Sequence, residues 1–341
     1  MNEHPSLETA TSGSIRFNTD SSRLEIYNGE KWWEIDSTSP EQHTGATRGL
    51  FGGGRDSGGS STNQIQFINV DSTGNGTDFG NLSGSRRGIG GCSDRTRGVF
   101  GGGNPVTNTI EFVTIASTGD TTNFGDLTVA RDYLAGGNSS TRGIFAGGLS
   151  PDNHDTIDFV TIASTGDAVD FGNITLQARQ IDDTCESPTR CVLVAGIKGG
   201  PYVAYNYLEY ITTSTTGNTA DFGDLTNGVR YGLGSLSNAI RGVIGGGDVY
   251  PAPGRVNHIE FITIATLGNS IDFGDQTDTF HYGTATGSPT RGVFAGGNAP
   301  ARINSMCYIQ IMTKGDAIDF GDLNAALDTM TGCSNGNGGL G

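Results

Sequence analysis

The chain has 341 residues and a formal charge of −16, with 34% hydrophobic residues, 16% charged residues and 56 glycines. That acidic balance argues against a mechanism that neutralises phosphates along nucleic acid and against docking on anionic lipid. Glycine at this level without a G-X-Y period means many turns, and the absence of a long apolar run or of a basic, then apolar, leader reads as a soluble chain with no membrane insertion and no secretion signal of its own.

In chain order, the first element is GSIRFNTDSSRLEIYNGEKWWEID, Gly13 to Asp36. Alternation in SIRFNT, a polar turn at Asp20 to Arg23, alternation in LEIY, a hairpin turn at Asn28 and Gly29, and then KWWEI predict three short strands. Residues 1–38 therefore form a small β attachment module, too small to be stable without a partner surface, and 39–46 a linker. Trp32 and Trp33 fall on opposite faces, so either one covers the module's own sheet while the other docks, or both pack internally.

From residue 47 the chain repeats. RGVF or a close variant returns at Arg48, Arg97, Arg142, Arg190, Arg241 and Arg291, at intervals of 49, 45, 48, 51 and 50 residues. The phrase DFGDL or a variant follows each copy, with its aromatic at Phe79, Phe124, Phe171, Phe222, Phe273 and Phe320. A period near fifty predicts a propeller or an array. Each copy divides at its turn signals into four short strands, illustrated by ARDYLAGGNSS, TRGIFAGG, TIDFVTIAS and AVDFGNI of the third. The expected architecture is all-β: a six-bladed β-propeller over 47–341, with blades starting near 47, 96, 141, 189, 240 and 290.

Loop lengths sharpen this reading. From the apolar marker of the third strand (Ile65, Ile110, Ile157, Leu208, Ile259) to the Phe of the FG step is 14 residues in five copies, and from Ile309 to Phe320 it is 11. Length varies chiefly between second and third strands, which places the variable loops together on one face, the expected binding face. A first-strand-like piece around Met330 to Cys333 has no second strand after it. It is expected to complete the blade begun at Arg48 and so to remove an open sheet edge.

The GGG at the end of the second strands lacks the Lys-Ser/Thr of a phosphate-binding loop and any helical pattern after it, so it reads as a place of close backbone approach. The six arginines at one blade position form a structural ring that bonds local carbonyls or an Asp such as Asp120 or Asp167; the competing reading is an anion site at its centre. Phe of the FGD phrase is expected between blades, and the Asp to form turns. The five cysteines show no metal-type spacing, no D-x-D-x-D-G loop occurs, and neither metal nor cofactor is expected.

The order of Arg, strand two ending in Gly-Gly, strand three and strand four resembles the kelch repeat over 47–341, with DFGDL standing where a kelch blade carries its Trp. Blades reading TRGVFAGG…IEFITIATLGNSIDFGD look like the kelch-like repeat proteins of marine bacteriophages, especially those of cyanobacteria, and Gly13 to Asp36 is similar to a short module of phage tail-fibre proteins. These resemblances imply a virion protein, assembled in the host cytoplasm and joined to other virion proteins by its N-terminal module, and by analogy a homo-oligomer, a trimer. The expected role is a tail fibre or fibre-tip adhesin that presents its loops to a host-surface glycan, the alternative a capsid, collar or baseplate decoration protein. Among the loop residues, Tyr202, Tyr205 and Tyr250 offer stacking area, with Lys198, Arg255, Asp248 and Asn206 as polar neighbours. No sialidase-type box and no His cluster occurs, so the chain is expected not to be an enzyme, a glycan-degrading propeller being the distant alternative.

Overall fold

Each repeat folds as a four-stranded antiparallel sheet because its β-branched and aromatic runs are short and are separated by Gly, Asn and Asp turns. A computed structural model describes residues 10–18, 23–34, 47–176, 181, 183–198, 203–250 and 254–340. The chain divides into two compact units, Met1–Gly45 and Ala46–Gly341.

In the smaller unit the strands Ile15–Asn18, Arg23–Tyr27 and Trp32–Glu34 pair in chain order. The hairpin at Asn28 is a four-residue turn rather than a two-residue one. Asn28 Oδ1 accepts the N–H groups of Glu30 and Lys31, both at 2.9 Å, and the Asn28 N–H bonds Lys31 O at 3.1 Å. The side chain thus substitutes for a backbone acceptor, as Asn does in turns. The other expected turn falls mainly on residues 19–22, outside the described residues.

The larger unit has a propeller-like arrangement of four-stranded antiparallel sheets, six of them among the described residues. The second copy shows the plan: Gly90–Ser93, Arg97–Gly101, Thr109–Thr114 and Thr122–Asp126. The sheet begun by Arg48–Gly52 takes its remaining strand from the far end of the chain, Thr331–Ser334, in the register Thr331 to Gly52 and Ser334 to Gly49. First strands touch in the order Gly90–Ser93, Ala135–Asn138, Asp183–Glu186, Gly234–Ser237, Thr284–Gly287, Thr331–Ser334, and the last of these touches the first. Together they line a channel.

Neighbouring sheets are joined three times over. The buried apolar clusters each draw on two successive sheets. One gathers Ile110, Phe124 and Leu127 with Leu134, Phe145 and Val160, and another joins Phe320 and Val293 to Phe51 and Ile68. Second, the FG step is a bulge: Phe124 is left unpaired between Asn123 and Gly125, and in each sheet the corresponding Phe is buried. The glycine after it lies under the turn of the next sheet, and a Cβ on Gly172 would stand 2.4 Å from Gly217 O. Third, the next turn's Asp or Asn accepts the N–H of the residue after that glycine: Asp120 from Asn81 at 2.8 Å, Asp167 from Asp126 at 3.0 Å, and Asn75 from Asp322 at 3.0 Å. We expect Gly172→Ala to cost about 1–3 kcal/mol, as overpacking a tight contact does. A urea midpoint unchanged from wild type would show that the turn can retreat.

The sixth copy corrects the loop arithmetic. Met306, not Ile309, is the residue of Ser305–Gln310 that faces the FG glycine, pairing with Gly321 as Ile65 pairs with Gly80. Counted from Met306, the interval to Phe320 is again 14. Two stretches expected as loops also carry strand. Arg190–Lys198 and Val203–Thr212 form a lengthened hairpin, and Asp248–Val249 with Gly254–Arg255 forms a small sheet beside Arg230–Tyr231.

Candidate functional site

Loops between second and third strands share one face with the segments that enter each first strand. Arg55 bridges to Asp328, Asn104 to Arg87, Leu149 to Asp132, Asp248 to Tyr231 and Asn298 to His281. The position two residues before five of the six first strands rims the channel on this face and takes positive φ: Gly88 at 60°, Tyr133 at 50°, Gly232 at 69°, Tyr282 at 57° and Thr329 at 52°. That conformation turns each N–H back onto its neighbour, so Tyr133 N–H bonds Gly88 O at 2.8 Å, Tyr282 N–H bonds Gly232 O at 2.7 Å and Thr329 N–H bonds Tyr282 O at 2.8 Å.

Inside this rim is a cavity of about 60 Å³ whose floor includes Ile89, Leu134, Ile197, Leu233 and Met330, with Tyr133 and Tyr282 in its wall. Tyr282 is braced by Tyr231, edge-on at 6.0 Å, and by His281 at 4.6 Å. Burial and the nearby Arg255 push the His281 imidazole below its ordinary pKa, which keeps it neutral near pH 7. Tyr133 receives the Arg87 Nε–H at 3.4 Å. Around the rim, buried Asp328 accepts two bonds from Arg55 at 3.0 Å each and one from Arg302 at 2.9 Å. Asp132, equally buried, accepts Asn104 Nδ2–H at 2.6 Å on one oxygen, while its Oδ1 has no hydrogen-bond partner. An apolar floor with aromatic walls and a charged, hydrogen-bonding rim suits a ligand with one apolar face and a polar edge.

Farther along the channel the first strand Asp183–Glu186 differs from its counterparts, which read GGCS, AGGN, GSLS, TATG and TGCS. It brings two carboxylates inward. Asp183 accepts the Ser235 N–H at 2.6 Å, and Glu186 accepts Thr184 Oγ1–H at 2.5 Å and Ser237 Oγ–H at 2.9 Å. Burial raises the Glu186 carboxyl to about 7. Beyond it the tail crosses the channel: Asn337 Nδ2 donates to Ser93 Oγ and Asn138 Oδ1, both at 2.9 Å, and Gly338–Leu340 forms a buried turn of 3-10 helix. The five cysteines are buried and unpaired, with thiols that burial pushes up in pKa, and no cluster of three metal-ligating side chains occurs among the described residues.

Of the residues expected to recognise a partner, Asp248 and Arg255 face each other across the short strands beside Tyr231, near the mouth. Tyr250 is 43% exposed. Tyr205 stacks on Tyr207 at 5.2 Å in the lengthened hairpin, whose strand partner ends at Lys198. Asn206 is committed to the fold, bonding Leu225 on both sides of the backbone as Asn63 does Leu82. Tyr202 lies outside the described residues.

The six arginines are tied to their neighbours. Arg97 NH1 donates to Ile162 O at 2.8 Å, Arg142 to Thr213 O at 2.9 Å, Arg190 to Ile264 O at 2.7 Å, Arg241 to Ile311 O at 2.9 Å, Arg291 to Val70 O at 3.2 Å and Arg48 to Ile115 O at 3.0 Å. In every case the acceptor is the residue after the next sheet's third strand, and the guanidinium also lies over its own third-strand ring, at 4.6 Å for Arg97 on Phe112. Asp120 and Asp167 are occupied elsewhere, by the belt of turns.

In the N-terminal unit Trp32 and Trp33 do take opposite faces. Trp32 lies under Arg16, which is ion-paired to Glu25 at 2.7 Å. Trp33, 51% exposed, shares the other face with exposed Ile15, Phe17, Leu24 and Ile26.

Sequence reasoning missed the mouth residues Tyr133, Tyr231, Tyr282 and His281, and a set of buried ion pairs: Arg86 with Glu111, Arg131 with Asp158 at 2.9 Å, and Arg230 with Glu260. Aligning the copies two residues before the first strand, where Gly88 and Gly232 correspond to Tyr133 and Tyr282, would have exposed those two tyrosines.

No family model and no curated protein matches the sequence. Among solved structures the chain is similar to that of YjhT, with a TM-score of 0.61 at 10% identity, over 74% of this chain and 88% of that one. A likeness at that identity shows the fold. It also corrects the expectation that the chain is not an enzyme: a scaffold shared this broadly hosts unrelated chemistries, and nothing in the fold supports excluding catalysis.

Proposed function

We propose that the chain is a bacteriophage virion protein, a tail fibre or fibre-tip adhesin. In this reading a six-bladed propeller of kelch-like type, closed by its C-terminal strand, presents its loop face to a host-surface glycan. The closure rests on the pairing of Thr331–Ser334 with Arg48–Gly52. The observation that carries the functional reading is the contrast between faces in a chain of charge −16. Arg87, Lys198 and Arg255 stand on the loop face around the aromatic mouth, whereas Arg55 and Arg302 there are paired with Asp328, and the cations at the six-fold arginine position and in the buried pairs are likewise engaged. Cationic and aromatic groups on one side of an acidic protein favour one orientation at a glycan-coated surface.

The attachment face in this reading is Ile15, Phe17, Leu24, Ile26 and Trp33. Exposed apolar side chains gathered on one side of so small a sheet mark an interaction surface. Its partners would be other virion proteins or further copies of this chain in a trimer.

A pull-down of the full-length protein on host cells and on their extracted polysaccharide tests the recognition half. We expect Lys198→Glu with Arg255→Glu to weaken retention at least tenfold. Retention by neither protein, together with a loop face protected from labelling in intact virions, would favour the capsid, collar or baseplate reading. For the attachment half, Phe17→Asp with Trp33→Asp should abolish incorporation into particles while leaving the melting of the larger unit unchanged, and normal incorporation would place attachment elsewhere.

A further inference from the structure

We propose that Tyr133 and Tyr282 are a two-ring clamp for a single pyranose ring at the mouth of the channel; the ligand class rests on the glycan reading above. The first argument is backbone strain in the wrong residue. The rim position requires the left-handed region, where Gly88 and Gly232 sit without penalty, yet Tyr133 and Tyr282 hold φ of 50° and 57° there. A bulky residue in that region is an outlier that persists only where the surroundings enforce it, and such outliers concentrate at ligand clamps.

The second argument is placement. Following the order of first-strand contacts, the strands after Tyr133 and Tyr282 are three steps apart in either direction, so the two tyrosines line one cavity from opposite sides. Each ring lies beside the neighbouring glycine: a Cβ on Gly88 would meet Tyr133 Cδ1 at 3.0 Å, and one on Gly232 would meet Tyr282 Cδ1 at 3.3 Å. At each of these two places a glycine precedes the tyrosine on the rim and makes room for its ring. The rings are also held in place before any ligand arrives, Tyr133 by Arg87 and Tyr282 by Tyr231 and His281. Preorganised aromatic area binds at low entropic cost.

The third argument is chemistry. The floor between the tyrosines is aliphatic, which matches the C–H face of a sugar. Asp132, the residue before Tyr133, holds a buried Oδ1 without a hydrogen-bond partner just behind this lining, an acceptor that a hydroxyl reaches only when the rim opens. The cavity of about 60 Å³ admits an exocyclic group while the ring rests between the tyrosines.

The test uses the full-length chain, host polysaccharide, and a panel of methyl pyranosides read by saturation-transfer NMR. Tyr133→Gly and Tyr282→Gly copy the residues already present at 88 and 232. They are expected to melt at or above the wild-type temperature and to weaken polysaccharide binding at least tenfold, with loss of the pyranoside signal. Tyr133→Asn and Tyr282→Asn, which tolerate the same φ, should behave alike. Melting lowered by several degrees with binding retained would make the rings structural and overturn the clamp. Unchanged polysaccharide binding in stable variants would overturn the clamp alone. A wild-type chain that binds no saccharide would overturn both the clamp and the glycan reading beneath it.

Discussion

Arg230→Leu is expected to destabilise the larger unit by about 3–5 kcal/mol, the usual cost of removing one partner of a buried ion pair. Both members are fully buried. Glu260 Oε1 accepts from Thr226 N and Asn227 N at 3.0 Å, from Thr226 Oγ1 at 2.7 Å and from Ser270 Oγ at 2.8 Å, so it joins the segment leaving one sheet to the turn of the next. Arg230 neutralises that carboxylate and donates to Gly246 O at 2.8 Å. Without it, a buried charge remains with only neutral donors. The fold itself supplies the rescue, because two copies lack the pair altogether: Phe280 stands with Cys307, and Leu327 with Gln66, whose Oε1 accepts Asn324 N–H at 2.7 Å. Arg230→Leu with Glu260→Gln reproduces the latter and should recover most of the loss in denaturant titrations at pH 7. In the single variant the orphaned carboxyl gains a raised pKa, so its deficit should shrink as pH falls toward 5. A double variant as unstable as the single would mean that the arginine's carbonyl contacts, not the charge, carry the energy.

How much of this was legible in the sequence depends on whether a role repeats. The six-fold phrases revealed the four-stranded unit, the Phe of the FG step packed between sheets and the arginine bonded to a carbonyl, because each has one physical cause acting six times. What distinguishes one copy from another was harder to read. Met306 was passed over for Ile309 because a β-branched residue is the stronger strand marker, although an unbranched one fills the same buried place. The stretches at 197–206 and 248–257 look like loops by their Gly, Pro and Asn content, yet backbone pairing extends into them. Tyr133 and Tyr282 were invisible for a different reason. Their significance is a φ angle, and only alignment with Gly88 and Gly232 reveals that the position demands it. The buried pairs join residues about thirty apart in sequence, and their signature is joint loss at Phe280 with Cys307 and at Leu327 with Gln66.

The other large effect is a pH dependence from Glu186. Its carboxyl, buried in the channel, is raised to about 7 by burial, with the Thr184 and Ser237 hydroxyls acting in the opposite direction. Near the ordinary value of 4.5 the unfolded chain gives up this proton while the folded chain keeps it. Between about pH 4.5 and pH 7 the native state therefore binds more protons than the unfolded state, and its stability falls as pH rises. The span corresponds to roughly 3 kcal/mol, fully present below 4.5 and lost above 7. Glu186→Gln keeps the shape and removes the charge. Its stability should match wild type near pH 4.5 and exceed it by up to about 3 kcal/mol at pH 8. The other carboxylates are common to both proteins, so the difference between variant and wild type isolates this group. The site of the strain is also specific: Glu186 O packs on Gly338, where an added Cβ would lie at 2.2 Å, and Ser237 Oγ, which bonds the carboxyl, packs there too. Ionisation at pH 8 should thus speed amide exchange at Gly338 and Gly339 in wild type but not in Glu186→Gln. Parallel stability curves from pH 5 to pH 8 would mean that water entering the channel solvates the charge and that burial does not hold the proton on Glu186.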